Sequence, residues 1–327
     1  MDLRGDSRRD ALVAIADRYH IAIEDIVPAP APGAANYVYF LGDHLVVRIP
    51  RGGGARLAEL AKEATVIPAA RRAGVRTPAV VTYDDSCSVV GVPYLVIERV
   101  RGRDLGALGV SPTEAAGAYR QVGLSLARLH RLVRGRVGPL PGLGVDDESD
   151  PRPTVEALAE VGYVDVDAAR WLIGWFDRLA RWRPADVEPV VVHGDAAPTN
   201  IVVASDLELL GPGADRGVDG VFDTATLVDW GDAAWADPAV DFAKIPLRAV
   251  PFALEGYLAG VGARSRAEAL QGWAARILWY HLSWALHGAP QEPRTDERTW
   301  TAPPLSRLLE VLRFFAQSPP EPWASLA

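Results

Sequence analysis

Cysteine occurs once in 327 residues, at Cys87. No disulfide can close within the chain, and no Cys-x-x-Cys metal site can be built. That usage fits a reducing cytoplasm. Lysine is almost as scarce: only Lys62 and Lys244 among 34 basic residues, the rest being arginine. Beside the abundant Ala, Gly and Pro, this reads as the codon bias of a GC-rich genome rather than an RNA-binding design. Positive charge is also in deficit, with 42 acidic residues and a net charge of −8. Binding to phosphate backbones needs a basic footprint, which excludes nucleic acid as the main partner. No stretch approaches the ~18 apolar residues of a membrane span. The opening Met1-Asp2-Leu3-Arg4-Gly5-Asp6 is charged from the start and lacks the apolar core of a signal peptide. The expectation is a cytoplasmic protein with no membrane contact and no evident need for a protein partner.

What is present is ordinary globular material, 49% apolar and 23% charged. It is enough for a large core, in two domains or one large one. Ala11, Leu12, Ile15 and Tyr19 recur at helical spacing and predict a first helix over 8–20. The segment Asn36–Leu41, the Gly42-Asp43 turn and His44–Ile49 predict a β-hairpin. Arg56–Ala73 predicts a helix that Pro68 kinks or shortens. Val75–Tyr83 and Tyr94–Val100 predict further strands. Beyond residue 100 the pattern turns helical, with an amphipathic helix over Thr113–Val133, one or two helices over 154–183, and more over 251–316. Short apolar strands (Val190–Val192, Ile201–Val203, Leu227-Val228) interrupt it. The division is a β-rich part over 1–98, a hinge over 99–103 and a mainly helical part over 104–327.

The two short strands flank His193-Gly194-Asp195-Ala196-Ala197-Pro198-Thr199-Asn200, and Val228-Asp229-Trp230 follows about thirty residues later. Phosphoryl transfer needs a carboxylate to orient the attacking hydroxyl and take its proton. It also needs oxygen ligands for Mg²⁺, a hard cation. A turn and a strand cap would account for either piece alone; their order and flanking strands together point to that chemistry.

This set resembles the aminoglycoside phosphotransferases, relatives of the protein kinases. His193-Gly194-Asp195-x-x-x-x-Asn200 is similar to their catalytic loop and Val228-Asp229-Trp230 to their metal-binding segment. Asp237-Pro238-x-x-Asp241 is similar to the motif after it, and Leu126–His130 to the end of their long helix. Gly33-x-x-Asn36-x-Val38-Tyr39 resembles their nucleotide loop, and Arg48-Ile49-Pro50-Arg51 a stretch of the macrolide phosphotransferases. The resemblance implies an α+β, two-lobed, protein-kinase-like fold, with a small β-rich N-lobe and a larger, mostly helical C-lobe. It implies Asp195 as catalytic base, and Asn200 and Asp229 as Mg²⁺ ligands. Gly33, Ala34, Ala35 and Asn36 would cover the phosphates, and the hinge Glu98-Arg99-Val100 would meet the purine of ATP or GTP. Arg48 stands where a phosphate-gripping lysine is usual, with Glu63 as its ion-pair partner. Asp241 would hold the catalytic loop, and His193 would pack beneath it. Gly194 replaces the arginine of regulated protein kinases, and few residues separate Asp229 from Asp237, so no activation switch is expected.

No Walker A loop, Gly-x-Ser-x-Gly elbow or His-Glu-x-x-His pair is present. Two stretches are candidates for the acceptor. The acidic run Asp146–Asp150 would suit a cationic antibiotic, and otherwise is a solvated loop. Trp273, Tyr280, His281 and Trp284, with Trp171 and Trp175, would stack on a bulky acceptor, and otherwise are core. Asp232 is a further contact candidate. The resemblance implies a small-molecule O-phosphotransferase acting on an antibiotic hydroxyl, for resistance or producer self-protection. A metabolic kinase for choline, an amino alcohol or a sugar, and a non-catalytic nucleotide-binding pseudokinase, are the alternatives.

Overall fold

The computed structural model describes residues 5–29, 35–146, 150–182, 187–204, 222, 224–262, 267–290, 304–319 and 321–326. The first part holds α1 (Gly5–Arg18), β1 (Ile26–Pro28), β2 (Asn36–Leu41), β3 (Leu45–Pro50), α2 (Ala55–Arg72), β4 (Val80–Asp84) and β5 (Tyr94–Glu98). Its five strands form one antiparallel sheet in the order β1-β2-β3-β5-β4. Alternation along β3 sorts its side chains between two helices. Val47 and Ile49 join Leu12 and Ile15 of α1 in one apolar cluster. Val46 points the other way and joins Leu60 of α2 in a second. Arg48 shares a face with Val46, and Glu63 lies three residues beyond Leu60, on the same face of α2. The spacing that buries this sheet therefore also brings Arg48 to Glu63. Arg18 ties α1 to the other edge, donating to the Asp84 carboxylate at 3.1 Å and the Tyr94 hydroxyl at 3.2 Å.

The larger part holds β6 (Arg103–Asp104), α3 (Leu105–Leu108), α4 (Ala116–Leu129), α5 (Arg152–Glu160), α6 (Val166–Ala180), β7 (Val190–Val192), β8 (Ile201–Val203), β9 (Ala225–Leu227), β10 (Ala234–Ala236), α7 (Val250–Val261), α8 (Ala267–Gly288) and α9 (Pro304–Ala316). One apolar core joins α4, α6, α7 and α8. The short strands make two small antiparallel sheets, β6-β8-β9 and β10-β7. The architecture is α+β in two lobes, a small β-rich one and a larger helical one. Helices α4 and α7 touch backbone to backbone. A side chain at Gly123 of α4 would run into the Ala253 carbonyl oxygen, and one at Gly256 of α7 into that of Arg120. Among the described residues no helix is long and apolar enough to cross a membrane.

Several boundaries differ from the sequence expectation. The strand expected over Val75–Tyr83 is confined to Val80–Asp84, because Pro78 offers no N–H to a ladder. Helix α2 runs through Pro68 to Arg72 without being shortened. The helix expected from Thr113 starts at Ala116, after a turn in which Ser111 N–H donates to Glu114 and Glu114 N–H to the Ser111 hydroxyl. That reciprocal pair is a capping box one turn early.

Candidate active site

Strands β7 and β8 deliver the two ends of the loop 193–200, and their partners β10 and β9 deliver the two ends of 228–233. The two loops are stitched together. The Val228 N–H donates to the Asn200 carbonyl at 3.0 Å. His193 is fully buried, with Nε2 3.1 Å from the Val228 carbonyl and Nδ1 3.2 Å from the Asp195 N–H. A carbonyl only accepts, so Nε2 carries the hydrogen and Nδ1 receives the amide. Both ring nitrogens are spent on holding the loops, as packing beneath the loop requires.

Asp241 is buried behind this loop and accepts from the His193 N–H at 3.0 Å and the Gly194 N–H at 2.7 Å. His130, the cap of α4, meets the same carboxylate at 2.9 Å and the Tyr257 hydroxyl of α7 at 3.1 Å. Ionised Asp241 accepts only, so His130 donates to it through Nε2. Asp237, four residues earlier, caps the short 3₁₀ turn Pro238–Phe242 and accepts from Arg276 of α8. The Asp-Pro-x-x-Asp spacing thus lashes the loop to α4, α7 and α8. Gly194 has φ +79, and a side chain there would meet the Asp232 carbonyl. Only glycine suits both conditions.

Asp195 and Asn200 meet directly. The Asn200 amide donates to the Asp195 carbonyl at 2.9 Å and its carboxylate Oδ2 at 2.6 Å. That orientation commits Nδ2 and leaves the amide oxygen as the end of Asn200 that could meet a cation. The other carboxylate oxygen of Asp195 lies 2.9 Å from the Lys244 ammonium, which also reaches Asp232 at 3.4 Å. Burial alone would lower the Lys244 pKa; Asp195 and Asp232 outweigh it and hold it above its ordinary value.

Arg48 spans the two lobes. Its Nη1 lies 2.6 Å from Glu63 and 3.0 Å from Asp229. Burial pushes the Glu63 carboxyl up, to about 7, against the pull of Arg48. Arg48 holds the Asp229 carboxyl below its ordinary value. Asp229 sits at φ +67, a left-handed backbone found more often for Asp than for most residues, with its side chain half exposed. Arg48 Nε and Glu63 Oε1 are buried with no hydrogen-bond partner among the described residues.

These residues suit a magnesium ion. The Asn200 oxygen and the Asp229 carboxylate are hard oxygen donors. Among the described residues no three His, Cys, Asp or Glu gather into a cage. Mg²⁺ characteristically takes one or two carboxylates and fills its shell with water and phosphate oxygens.

Of the nucleotide-loop residues, Gly33 and Ala34 lie outside the described residues. The Ala35 carbonyl accepts from the Arg51 N–H, and Asn36 opens β2 with its side chain buried. Glu98 is exposed at the end of β5 and accepts from the Ala79 N–H, with Arg71 at 3.6 Å. The N–H groups of Glu98 and Arg99 are spent on Ala79 and His44, so Val100 follows as the next donor along the chain.

A cavity of about 420 Å³ opens beside the loop, lined by Gly194, Asp232, Lys244, Tyr280, Trp284 and His287 among others. Asp146 is at its edge, while Asp147, Glu148 and Ser149 lie outside the described residues. The aromatic stripe is thereby divided. Tyr280 and Trp284 face the cavity, whereas Trp273 packs against Phe242 and Tyr257, and His281 is buried. Trp171 and Trp175 line a separate hollow of about 220 Å³ against α9. Sequence reasoning passed over Lys244, although a lysine in so arginine-rich a chain was itself a signal.

A model described as the phosphotransferase enzyme family matches residues 26–279. The chain belongs to that family. Wild-type aminoglycoside 2'-phosphotransferase-IIIa in its GDP complex has a similar fold, with TM-score 0.64 and 16% identity over 96% of this chain and 99% of that one. A choline/ethanolamine kinase family protein from Mesorhizobium loti follows at TM-score 0.54 and 20% identity, covering 92% of this chain and 90% of that one. Among curated proteins, acyl-CoA dehydrogenase family member 11 of Rattus norvegicus is 28% identical over 193 residues, 52% of this chain and 23% of that protein. The chain thus spans under a quarter of the curated relatives' length.

Proposed function

We propose that this family member is a small-molecule O-phosphotransferase that moves the γ-phosphoryl group of ATP or GTP to an acceptor hydroxyl. The observation that carries the proposal is the joining of Asp195, Asn200 and Asp229 by the Val228–Asn200 and His193–Val228 bonds, with Arg48 reaching Asp229 from the opposite lobe. In this reading residues 1–98 hold the nucleotide, 99–103 are the hinge, and 104–327 carry the catalytic loop and the acceptor.

Asp195 accepts the hydroxyl proton as the acceptor oxygen bonds to the γ-phosphorus and the bond to the β–γ bridging oxygen breaks, releasing the nucleoside diphosphate. Asn200 fixes one carboxylate oxygen, and the other lies against the Lys244 ammonium that lines the cavity. Arg48 contacts phosphate oxygens, and Glu63 sets its position. Asn200 and Asp229 hold Mg²⁺, which supplies charge neutralisation on the phosphates when bound. The Val100 backbone addresses the purine, and the residues from Gly33 to Asn36 border the phosphates. The acceptor is an antibiotic, and the protein works in the cytoplasm. The family supports the phosphotransferase class, and nucleotide complexes such as GDP and ATP occur among similar folds.

The choline/ethanolamine kinase neighbour favours a second reading, a metabolic kinase on the same frame. Product mass separates them. The protein is incubated with Mg²⁺, ATP or GTP, and a panel of aminoglycosides, macrolides, nucleoside antibiotics, choline and simple sugars. A gain of about 80 Da on one compound, absent with Asp195→Asn, marks phosphoryl transfer and names the acceptor class. Nucleotide binding without transfer or hydrolysis would overturn the reading in favour of a pseudokinase.

A further inference from the structure

We propose that Lys244 is a resident cation of the acceptor cavity, and that the acceptor therefore carries no ammonium group beside its reacting hydroxyl. The inference rests on the phosphotransferase reading and narrows it to uncharged hydroxyl compounds, such as sugar-like rings.

The 3₁₀ turn Pro238–Phe242 lies beside the cavity. Asp241 of this turn holds the catalytic loop from behind. Lys244 lies three residues on, and its ammonium reaches round to Asp195 at 2.9 Å and Asp232 at 3.4 Å. Its side chain is only 18% exposed, so the ammonium does not swing freely in solvent. The nitrogen also stands 5.8 Å from the centre of the Trp284 ring, which favours a cation there.

A cationic acceptor needs carboxylates near the point of transfer. The two that border that point, Asp195 and Asp232, already share one positive charge. A second ammonium entering there meets Lys244 at close range and finds both carboxylates engaged. Displacing Lys244 would strand a largely buried ammonium, which is costly. Among the described lining residues, Asp146 and Asp232 are the carboxylates. His287 bonds the Ser283 carbonyl through Nδ1, and Tyr280 and Trp284 offer aromatic faces. Asp146 is exposed at the rim, so a cation far from the reacting hydroxyl is tolerated and one next to it is not.

Binding tests this without requiring turnover. Kanamycin and choline are titrated into the full chain and into Lys244→Met, Lys244→Gln and Lys244→Arg, with each variant's thermal unfolding recorded. Wild type and Lys244→Arg should bind both cations weakly. Lys244→Met and Lys244→Gln should bind kanamycin at least about tenfold more tightly, because the freed carboxylates accept its ammonium groups. The gain should shrink in high salt and shrink again when Asp232→Asn is added, since one of the two freed carboxylates is then lost. Gln keeps a polar group at the site and serves if Met lowers folding. Equal affinity of wild type and Lys244→Gln for kanamycin, or transfer by wild type to a hydroxyl beside an ammonium, would overturn the inference. Transfer to kanamycin or choline would do so while supporting the phosphotransferase reading. A salt-sensitive gain in the variants, with no transfer to any acceptor, would support the resident cation and count against that reading.

Discussion

His130 and Asp241 face each other at 2.9 Å, both buried, behind the loop that carries Asp195. The carboxylate also receives two consecutive backbone N–H groups, so one side chain sets the path of the main chain at 193–194. Asp241→Ala would strand three donors at once, two buried and one, the Gly194 N–H, partly so. Each costs about 1–3 kcal/mol when unpaired. The expected loss is roughly 3 kcal/mol or more, read from denaturant unfolding. His130→Ala should cost less, and the double variant less than the sum, since both act in one network.

Gly194→Ala should harm the loop twice, through its positive φ and through contact with the Asp232 carbonyl. A strained backbone of this kind costs of order 1–3 kcal/mol. Transfer should fall more steeply than the unfolding temperature, because Asp195 follows directly. An unchanged turnover would show that the loop can yield here.

Asp195→Asn is expected to lower turnover by roughly 10²–10⁴-fold, the usual worth of a positioned base. Nucleotide affinity should stay within a few-fold, since Asn200 and Asp229 remain. Single-turnover kinetics with separate nucleotide titration makes the distinction.

Arg48→Met should destabilise the chain more than its exposed counterparts do. It leaves Glu63 buried without its cation, a loss of about 3–5 kcal/mol for a broken buried pair. Adding Glu63→Gln should recover part of that loss, because the uncompensated group is removed. Arg48→Lys should restore stability better than nucleotide affinity, as lysine lacks the planar fork.

The Arg18–Asp84–Tyr94 cluster gives a pH prediction. The Ser86 hydroxyl at 2.6 Å, its N–H, Tyr94 and Arg18 together hold the Asp84 carboxyl below its ordinary value, against burial. A carboxylate with a lowered folded-state pKa stabilises the fold above its unfolded pKa, about 3.9. That contribution fades as pH falls through the folded value. Thermal unfolding of wild type and Asp84→Asn should therefore differ at pH 6 and converge toward pH 3.

Much of the fold was legible because burial imposes period. The hairpin 36–50 and the strands at 190–192 and 201–203 follow directly from apolar runs bounded by turns. The Arg48–Glu63 contact was expected from the family resemblance, and strand alternation with helical spacing explains why the two side chains meet. Strands β6 and β10 were not legible, since two or three residues carry no periodicity and need partners supplied from afar. Lys244 was hidden for the same reason: its partners Asp195 and Asp232 are distant in sequence or lie across a loop. The aromatic stripe on α8 could not be divided in advance, because Trp273 and Trp284 look alike until α7 covers one of them.

The contact of α4 with α7 leaves no side-chain layer to compress at Gly123 and Gly256. The distance between His130 at the end of one helix and Tyr257 on the other is consequently fixed by main chain rather than by rotamers. From there the registration passes through Asp241 to the loop. Variation in this half is expensive, because a single methyl at either glycine would push the reacting geometry out of line. The cavity wall on α8 is built instead from side chains, those of Tyr280, Ser283, Trp284 and His287. The molecule thus separates what must stay constant from what can be re-tailored. Under the proposed function, substitutions on α8 should change acceptor choice with less effect on the 193–200 loop than substitutions at Gly123 or Gly256.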